Sequence, residues 1–367
     1  MTCGARARIL PGALLNNLAV IRKRAPGTRI MAAVKGNAYG HGLDTVARTL
    51  ADADSFAVAR LSEAEALRNL GISKPVVLLT GVLDADELER AVRCDCELVV
   101  HTRSQVELLE RASGFSIVAW LKIDTGMHRL GFAPGQAPEM MTRLRQCAVV
   151  RKLNLITHLA AADNTEDPMT AQQFAEFHAL SDGFDGDISI ANSPAIFAWP
   201  EGPAGASYWK NHGDVWVRPG IALYGISPFA EGCGADIGLQ PVMQFVSRLV
   251  DTKRIAEGDR VGYGKGWCAP RDTMIGIVAA GYGDGYTRFL PSETPLLING
   301  RRVPLAGIIS MDLCAVDLGP DARDRVGDPV LLWGEALPVE EIARAAGTIP
   351  YQLVTGVLHR EAAVVAE

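Results

Sequence analysis

Several side chains with useful chemistry stand immediately after short apolar runs that predict buried β-strands. Lys35 follows the run Ile30–Val34, and its amine could form an imine with a carbonyl compound. In a parallel barrel the carboxyl ends of all strands meet at one face, where functional groups gather. We therefore expect one site at that face to hold Lys35 together with Lys122, Asp124, His158, Asn192, Ser193 and Arg218.

Two further segments predict an anion site beside this lysine. Asn192-Ser193 and Pro219-Gly220-Ile221 each precede a predicted helix start. Barrels often bind phosphate in the loops after strands seven and eight, where backbone N–H groups point at the anion. A lone lysine at a strand end more often simply reaches solvent. A lysine beside a phosphate site favours pyridoxal phosphate, whose aldehyde reacts with amines.

The elements that must position these residues alternate between strand and helix from residue 30 to residue 225. Helix-like segments separate the apolar runs, Leu14–Arg24 predicts a helix before the first strand, and Ser62-x-x-Glu65 has the spacing of a capping box. No G-x-G-x-x-G turn follows an early strand, which argues against a dinucleotide fold. The pattern predicts a (β/α)8 barrel of the TIM type, with strands at Ile30–Val34, Phe56–Ala59, Val76–Leu79, Leu98–Val100, Ile117–Ile123, Leu153–His158, Ile188–Ala191 and Val215–Arg218.

The sequence pattern changes after the turn-rich stretch Glu231–Asp236, where β-type runs separated by turns replace the alternation of strands and helices. Asn299-Gly300 between Leu297-Ile298 and Arg301–Val303 is a strong hairpin signal, and only Val339–Ala346 predicts a helix. We expect a barrel domain over residues 1–230 and a mostly antiparallel β domain over residues 231–367, with β-runs at Val242–Val250, Arg260–Tyr263, Met274–Ala279, Pro295–Ile298, Ala315–Leu318 and Pro329–Leu332.

Composition excludes several classes of function. The formal net charge is −6 and the basic residues are scattered, which argues against a binder of nucleic acid. No apolar run approaches the length of a membrane span. The seven cysteines show no pairing pattern, and the spacing Cys94-x-Cys96 matches no zinc motif. We expect reduced thiols, no metal, no membrane association and a cytoplasmic protein.

The candidate residues lie within segments that resemble successive signatures of the alanine racemase family. The segments occur in the family's order and cover nearly the whole chain, so the resemblance is far more specific than any one of them. They are A-V-K-G-N-A-Y-G-H-G (33–42), L-K-I-D-T-G-M-H-R-L-G-F (121–132), T-H-L-A-A-A-D (157–163), A-N-S-P-A (191–195), V-R-P-G-I-A-L-Y-G (217–225), V-G-Y-G-K-G-W (261–267), G-Y-G-D-G-Y (281–286) and I-S-M-D (309–312).

The resemblance implies a role for each matching residue. Lys35 would hold pyridoxal 5'-phosphate and act as one catalytic base, and Tyr263 of a partner subunit would act as the second. Arg218 would contact the ring nitrogen, His158 would pack on the ring, and Lys122 would be carbamylated to orient Arg129. The remaining implied roles are phosphate contacts by Tyr39, Ser193, Gly220, Ile221 and Tyr351, cofactor binding by Asn192, substrate binding by Arg129, Met311 and Asp312, and an entrance formed by Asp163, Tyr282 and Arg288.

The chemistry agrees with these roles. Racemisation removes a proton from one face of the α-carbon and returns one to the other face, so it needs two bases. A guanidinium does not give up its proton, so Arg218 beside the ring nitrogen would leave that nitrogen largely unprotonated. An acidic residue at position 218 would instead favour a decarboxylase.

Three alternatives stay open at this point. A racemase of broader specificity, for example toward serine, would carry the same motifs. A pyridoxal-dependent decarboxylase of the same architecture is disfavoured by Arg218, and a cofactor carrier is disfavoured by the second domain. The family pattern also changes at Gln352, at Ile308 and in the C-terminal tail. The expected product, D-alanine, would supply peptidoglycan synthesis, and the expected assembly is a homodimer with shared sites.

Overall fold

The computed structural model describes residues 4–200, 202, 205–209, 212–264, 266–360 and 362–366. Lys265 of the V-G-Y-G-K-G-W segment lies outside these residues. The chain begins with strand β1 (Arg6–Ile9) and helix α1 (Pro11–Arg24). Leu14, Leu18 and Ile21 recur at intervals of three and four residues along α1, so they form one buried face.

Eight parallel strands form a closed barrel in which each strand pairs with the next and the last pairs with the first. Both faces of such strands are covered, which is why short, wholly apolar runs predict them. The predicted barrel is confirmed, with strands β2 (Arg29–Ala33), β3 (Ser55–Val58), β4 (Val76–Leu78), β5 (Cys96–Val100), β6 (Ile117–Lys122), β7 (Val150–Ile156), β8 (Ile188–Asn192) and β9 (Val215–Arg218).

Large side chains fill the barrel, so it is a packed core rather than a channel. Trp120 and Trp216 meet edge to face at 6.1 Å in this interior cluster. The short segment α2 (Lys35–Tyr39) is a left-handed turn and not an α-helix. Around the barrel lie α3 (Leu43–Thr49), α4 (Leu61–Asn69), α5 (Ala85–Arg93), α6 (Arg103–Arg111), α7 (Ala137–Gln146), α8 (Met169–Ser181) and α9 (Ser193–Ala198).

The predicted capping box at Ser62–Glu65 is wrong. Helix α4 begins at Leu61, so Ser62 lies inside it and the third helical position is Glu63. Glu63 Oε2 accepts hydrogen bonds from the backbone N–H groups of Ala59 and Arg60, both at 2.9 Å. Glu65 instead pairs with Arg90 on the neighbouring helix at 2.8 Å.

The second domain is mostly antiparallel β, as predicted. The Asn299-Gly300 hairpin is present, with both residues at positive φ (51° and 77°). Its elements are β10 (Met243–Ile255), β11 (Thr273–Val278), β12 (Pro295–Ile298), β13 (Arg301–Pro304), β14 (Cys314–Gly319), β15 (Pro329–Trp333), β16 (Val364–Val365), α10 (Val339–Ala345) and α11 (Pro350–Thr355).

Both ends of the chain enter this second sheet. Strand β1 pairs antiparallel with β10, with Ala7 opposite Phe245, and parallel with β16. The sequence pattern places residues 6–9 with the barrel, whereas their hydrogen bonds lie in the other domain. A strand of four residues beside a long helix carries too little pattern to reveal its partner.

Two other expectations for this domain are wrong. Arg260–Tyr263 is not a strand, because Arg260 forms only an isolated bridge with Cys268. A second helix, α11, follows α10, and its six residues are too few to show helical periodicity. No helix in the described part of the chain is long and apolar enough to cross a membrane.

Candidate active site

A cavity of about 1210 Å³ opens at the carboxyl ends of the barrel strands, between the barrel and helices α10 and α11. All the predicted residues of the barrel except Asp124 converge here, together with one from α11. Those that line the cavity are Lys35, Tyr39, Lys122, Arg129, His158, Asp163, Asn192, Ser193, Arg218, Gly220, Ile221 and Tyr351. The cavity is therefore built by strands that are far apart in sequence.

Lys35 stands where strand β2 opens into this cavity. Burial, together with the positive charge of Arg129, lowers the pKa of its amine, while the carboxylate of Glu63 opposes that shift. A lowered pKa increases the fraction of neutral amine, which is the nucleophilic form. The surroundings of Lys35 therefore favour reaction with an electrophile.

Arg218 lies at the end of β9, only 7% exposed. Its guanidinium donates to Ser189 Oγ and to the carbonyl oxygen of Thr157, both at 2.5 Å. It also lies 3.4 Å from Nδ1 of His158. Burial and the charge of Arg218 lower the pKa of His158 well below its ordinary value. A neutral imidazole beside a fixed cation can accept a hydrogen bond and present its face to a ligand.

Backbone N–H groups gather at the loops after strands β8 and β9. Ser193 Oγ accepts hydrogen bonds from the N–H groups of Gly220 at 2.9 Å and of Ala222 at 3.4 Å. Asn192 Oδ1 accepts from the Ala195 N–H at 3.2 Å and so caps helix α9. This arrangement of donors and hydroxyls is the kind that receives a phosphate.

Tyrosine side chains close the other side of this group. Tyr39 stacks on Tyr224 with ring centroids 4.9 Å apart, and Tyr351 of α11 lies 6.1 Å from Tyr39. A Cβ atom at position 220 would stand 2.5 Å from the Tyr39 hydroxyl. Position 220 must therefore be glycine for the hydroxyl to approach the backbone of the loop.

Lys122 ends β6 and lies in the cavity near three other cations. Burial and the charges of Arg218 and Arg129 lower its pKa to about 8. Asp124, two residues further along the chain, does not form a surface ion pair with Lys122. Its Oδ1 instead accepts hydrogen bonds from the backbone N–H groups of Gly126 and His128. The cavity is lined by two lysines and four arginines, which suits a ligand that carries several negative charges.

Apart from Tyr351, the predicted residues of the second domain do not line this cavity. Tyr263 is 64% exposed, Met311 is 54% exposed and Tyr282 is 40% exposed. Asp312 and Arg288 lie on the same loops. These side chains form an exposed surface of the second domain, and Phe289, 83% exposed, extends it.

Close backbone contacts hold these loops together. Gly283 donates its N–H to the Met311 carbonyl oxygen at 2.8 Å, and a Cβ at position 281 would stand 2.2 Å from that oxygen. Arg288 donates to the Ile309 carbonyl oxygen at 2.8 Å. The tail residue Arg360 bridges Asp312 at 2.6 Å and Asp284 at 3.3 Å. The loops therefore present Met311 and Asp312 in a defined conformation.

Two contributors have no clear signal in the sequence. Glu63 reaches from helix α4 to the Gly36 N–H at 2.5 Å, directly after Lys35. A glutamate in the first turn of a helix is so common that its presence there indicates nothing further. Arg360 belongs to a tail that departs from the family pattern, and its distance from Asp312 in sequence hides the contact.

The chain is similar to known proteins over nearly its whole length. Residues 9–228 match the family model for the alanine racemase N-terminal domain, and residues 242–365 match that for the alanine racemase C-terminal domain. The alanine racemase of Aeromonas hydrophila is 48% identical over 97% of this chain and 98% of its own length. An alanine racemase of Shewanella baltica is 48% identical over 98% of this chain and 99% of its own.

Solved structures agree with this similarity. The biosynthetic alanine racemase of Pseudomonas aeruginosa superposes with a TM-score of 0.92 at 42% identity, with all of both chains covered. The alanine racemase of Acinetobacter baumannii superposes with a TM-score of 0.90 at 35% identity, again over all of both chains.

Proposed function

Because this chain belongs to the alanine racemase family, we propose that it interconverts L- and D-alanine with the help of pyridoxal 5'-phosphate. The observation that carries the proposal is the convergence of Lys35, Arg218 and the Ser193–Gly220 loops in one cavity. It unites an amine of lowered pKa, a buried cation and a phosphate-type cradle.

The residues present fit this cofactor. Ser193, Tyr39, Tyr351 and the N–H groups after Gly220 would hold the phosphate, and a side chain at position 220 would fill the space that the Tyr39 hydroxyl enters. Asn192 would support the cradle by capping α9, and Ile221 would line it. His158 would pack on the ring and Lys35 would hold the aldehyde carbon. When bound, the cofactor supplies a conjugated system that withdraws electrons from the α-carbon of an amino acid.

Arg218 supports racemisation over other reactions of this cofactor. Its guanidinium is fixed by Ser189 and by the Thr157 carbonyl oxygen, so its position is set before any ligand arrives. A guanidinium keeps its proton, so it would leave the ring nitrogen largely unprotonated. By weakening the electron withdrawal of the bound cofactor, Arg218 would limit side reactions such as transamination.

Two bases would move the protons. Tyr263 would remove the α-proton of L-alanine, and Lys35 would remove that of D-alanine from the opposite face. Tyr263 lies outside the cavity of its own chain, and its exposure supports a role in the site of a partner subunit. We therefore propose a homodimer in which Met311 and Asp312 also reach the partner's cavity, with Asp163, Tyr282 and Arg288 at the entrance.

Arg129 would bind the substrate carboxylate. Lys122, whose pKa of about 8 leaves a substantial neutral fraction, would react with carbon dioxide to form a carbamate. The lysine nitrogen would bond to the carbon of carbon dioxide and release a proton to water, so the side chain would become an anion that pairs with Arg129 and orients it. The D-alanine formed would supply peptidoglycan synthesis in the cytoplasm.

The decisive experiment follows both possible products of L-alanine. The purified protein is incubated with L-alanine while D-alanine and carbon dioxide are measured together. We expect D-alanine without carbon dioxide, and Lys35→Ala should abolish both the reaction and the visible absorbance of the bound cofactor. Release of carbon dioxide would instead identify a decarboxylase. A parallel assay with L-serine tests the broader specificity.

A further inference from the structure

The backbone that follows Lys35 has a conformation that residues with a Cβ atom seldom adopt. Gly36, Asn37, Ala38 and Tyr39 all have φ between 53° and 62° and lie in the left-handed region. Three of the four carry side chains, for which this region is disfavoured. A run of this kind persists only where the surroundings fix it.

Contacts at both ends hold the turn. At its far end Asn37 Oδ1 accepts from the Leu43 N–H at 2.9 Å, and His41 Nδ1 lies 2.8 Å from the Tyr39 carbonyl oxygen. At its near end Glu63 Oε1 accepts from the Gly36 N–H at 2.5 Å. Because Gly36 is bonded to Lys35, this last contact fixes the plane of the peptide group that joins them.

The two oxygens of Glu63 have separate tasks. Oε2 satisfies the N–H groups of Ala59 and Arg60 at the start of helix α4, whereas Oε1 crosses to the loop after the neighbouring strand. Capping alone would therefore need only one oxygen.

Helix α6 shows that a glutamine can do the capping part. Gln105 stands at the same third position, and its Oε1 accepts from the N–H groups of His101 at 2.8 Å and Thr102 at 3.2 Å. Its amide nitrogen then donates to the Val82 carbonyl oxygen at 3.1 Å. The loop beside Gln105 offers a carbonyl oxygen as an acceptor, whereas the loop beside Glu63 offers an N–H group as a donor. Each side chain therefore carries the group that its own neighbouring loop requires.

We propose that Glu63 is a positioning residue for Lys35, which acts by holding the Gly36 N–H and thereby aims the lysine amine into the cavity. This inference rests on the proposed role of Lys35 in holding the cofactor. Glu63→Gln would keep the cap, as Gln105 does, and would turn a second donor toward the Gly36 N–H.

The test compares two forms of the cofactor on the full-length holoenzyme. The Lys35 nitrogen forms a C=N bond with the aldehyde carbon, and the aldehyde oxygen leaves as water with two amine protons. Pyridoxamine phosphate has the same ring and phosphate but no aldehyde, so it cannot form this bond. The holoenzyme is titrated with pyridoxamine phosphate, and the loss of visible absorbance reports the displacement of pyridoxal phosphate. The midpoint measures the strength of the covalent linkage relative to the ring and phosphate contacts that both forms share.

We expect pyridoxal phosphate to be displaced from Glu63→Gln at an about tenfold lower concentration of pyridoxamine phosphate than from the unaltered protein. This is the effect of one lost charge-assisted hydrogen bond. General damage to the ring and phosphate contacts weakens both forms equally and leaves the midpoint unchanged. Glu63→Asp, which keeps the charge but is too short to span both contacts, should show the same direction if Glu63→Gln folds poorly.

The matched control is the opposite exchange, Gln105→Glu, which alters the same cap on α6 and should leave the midpoint unchanged. An unchanged midpoint in both Glu63 variants, or an equal decrease in Gln105→Glu, would overturn the inference. If Lys35→Ala kept the visible absorbance of the linkage, the proposed function itself would fail.

Discussion

The hydroxyl of Tyr39 lies 2.5 Å from the point at which a Cβ atom of residue 220 would stand. Gly220→Ala therefore forces the tyrosine or the loop away from the phosphate cradle. We expect the dissociation constant for pyridoxal phosphate to rise about ten- to hundredfold, the usual cost of overpacking. Equilibrium dialysis of the cofactor measures this change.

Gly12→Ala is the matched control for that variant. Position 12 lies in helix α1, and a methyl group added there would have no atom within 4 Å. The variant should bind the cofactor normally and gain about 0.5–1 kcal/mol in the free energy of unfolding, because alanine favours helices. Normal cofactor affinity in Gly220→Ala would show that cofactor binding does not require the close approach of the Tyr39 hydroxyl to the backbone at position 220.

Tyr263→Phe removes the proposed base of one face only. The two enantiomers have equal energy in water, so racemisation should fall equally in both directions, by about 10²–10⁴-fold. Exchange of the α-proton of D-alanine with D₂O should persist, because Lys35 serves that face. NMR of the alanine α-proton follows the exchange.

Tyr208→Phe controls for the loss of an exposed tyrosine hydroxyl, since Tyr208 packs on Phe174 at the outside of the barrel. It should leave racemisation and exchange unchanged. Equal loss of exchange from both enantiomers in Tyr263→Phe would contradict the division of labour between the two bases.

Subunit mixing tests whether the sites are shared. Lys35→Ala and Tyr263→Phe should each be inactive alone. After mixing and reassociation, half the dimers are mixed and each contains one intact site, so about a quarter of the normal activity should return. No recovery, with exchange of subunits verified by mass, would mean that Tyr263 serves its own chain.

The pKa of Lys122, lowered to about 8 by burial and the nearby arginines, predicts how pH governs its modification. The neutral amine reacts with carbon dioxide, and its fraction rises as the pH increases through about 8. At a fixed partial pressure of ¹³CO₂, carbamate formation observed by NMR should therefore be slower at about pH 6.5 than at about pH 8.5. The signal should vanish in Lys122→Gln.

Lys23→Gln serves as the control for that signal, because Lys23 lies exposed on helix α1. The carbamate signal should persist in this variant. Persistence of the signal in Lys122→Gln as well would assign the modification to another residue. Removal of carbon dioxide should also weaken binding of alanine, since Arg129 would lose its anionic partner.

The barrel could be predicted because each of its strands leaves a signal within a few consecutive residues. Each strand is buried on both faces, so it appears as a short apolar run, and eight such runs with helices between them favour a closed barrel. The site follows from the same rule, since Lys35, His158 and Arg218 all lie at strand ends. No periodicity is needed to bring them together.

Other features could not be predicted because they depend on partners distant in sequence. The left-handed turn at 36–39 includes residues that disfavour it, and only contacts such as Glu63 to Gly36 make it stable. The pairing of Arg360 with Asp312 spans 48 positions. Helix α11 is too short for a periodic pattern, although it carries Tyr351.

The pairing of β1 with β10 also dictates when the second domain can be completed during synthesis. Residues 6–9 are made before the barrel, yet their neighbours in β10 are made after the entire barrel, and those in β16 are made later still. Contacts so distant in sequence slow folding, and the edges of the early strand stay exposed until its partner strands have been made. A fragment of residues 231–367 would lack a strand of its own sheet, so the smaller domain should not be separable as a stable unit.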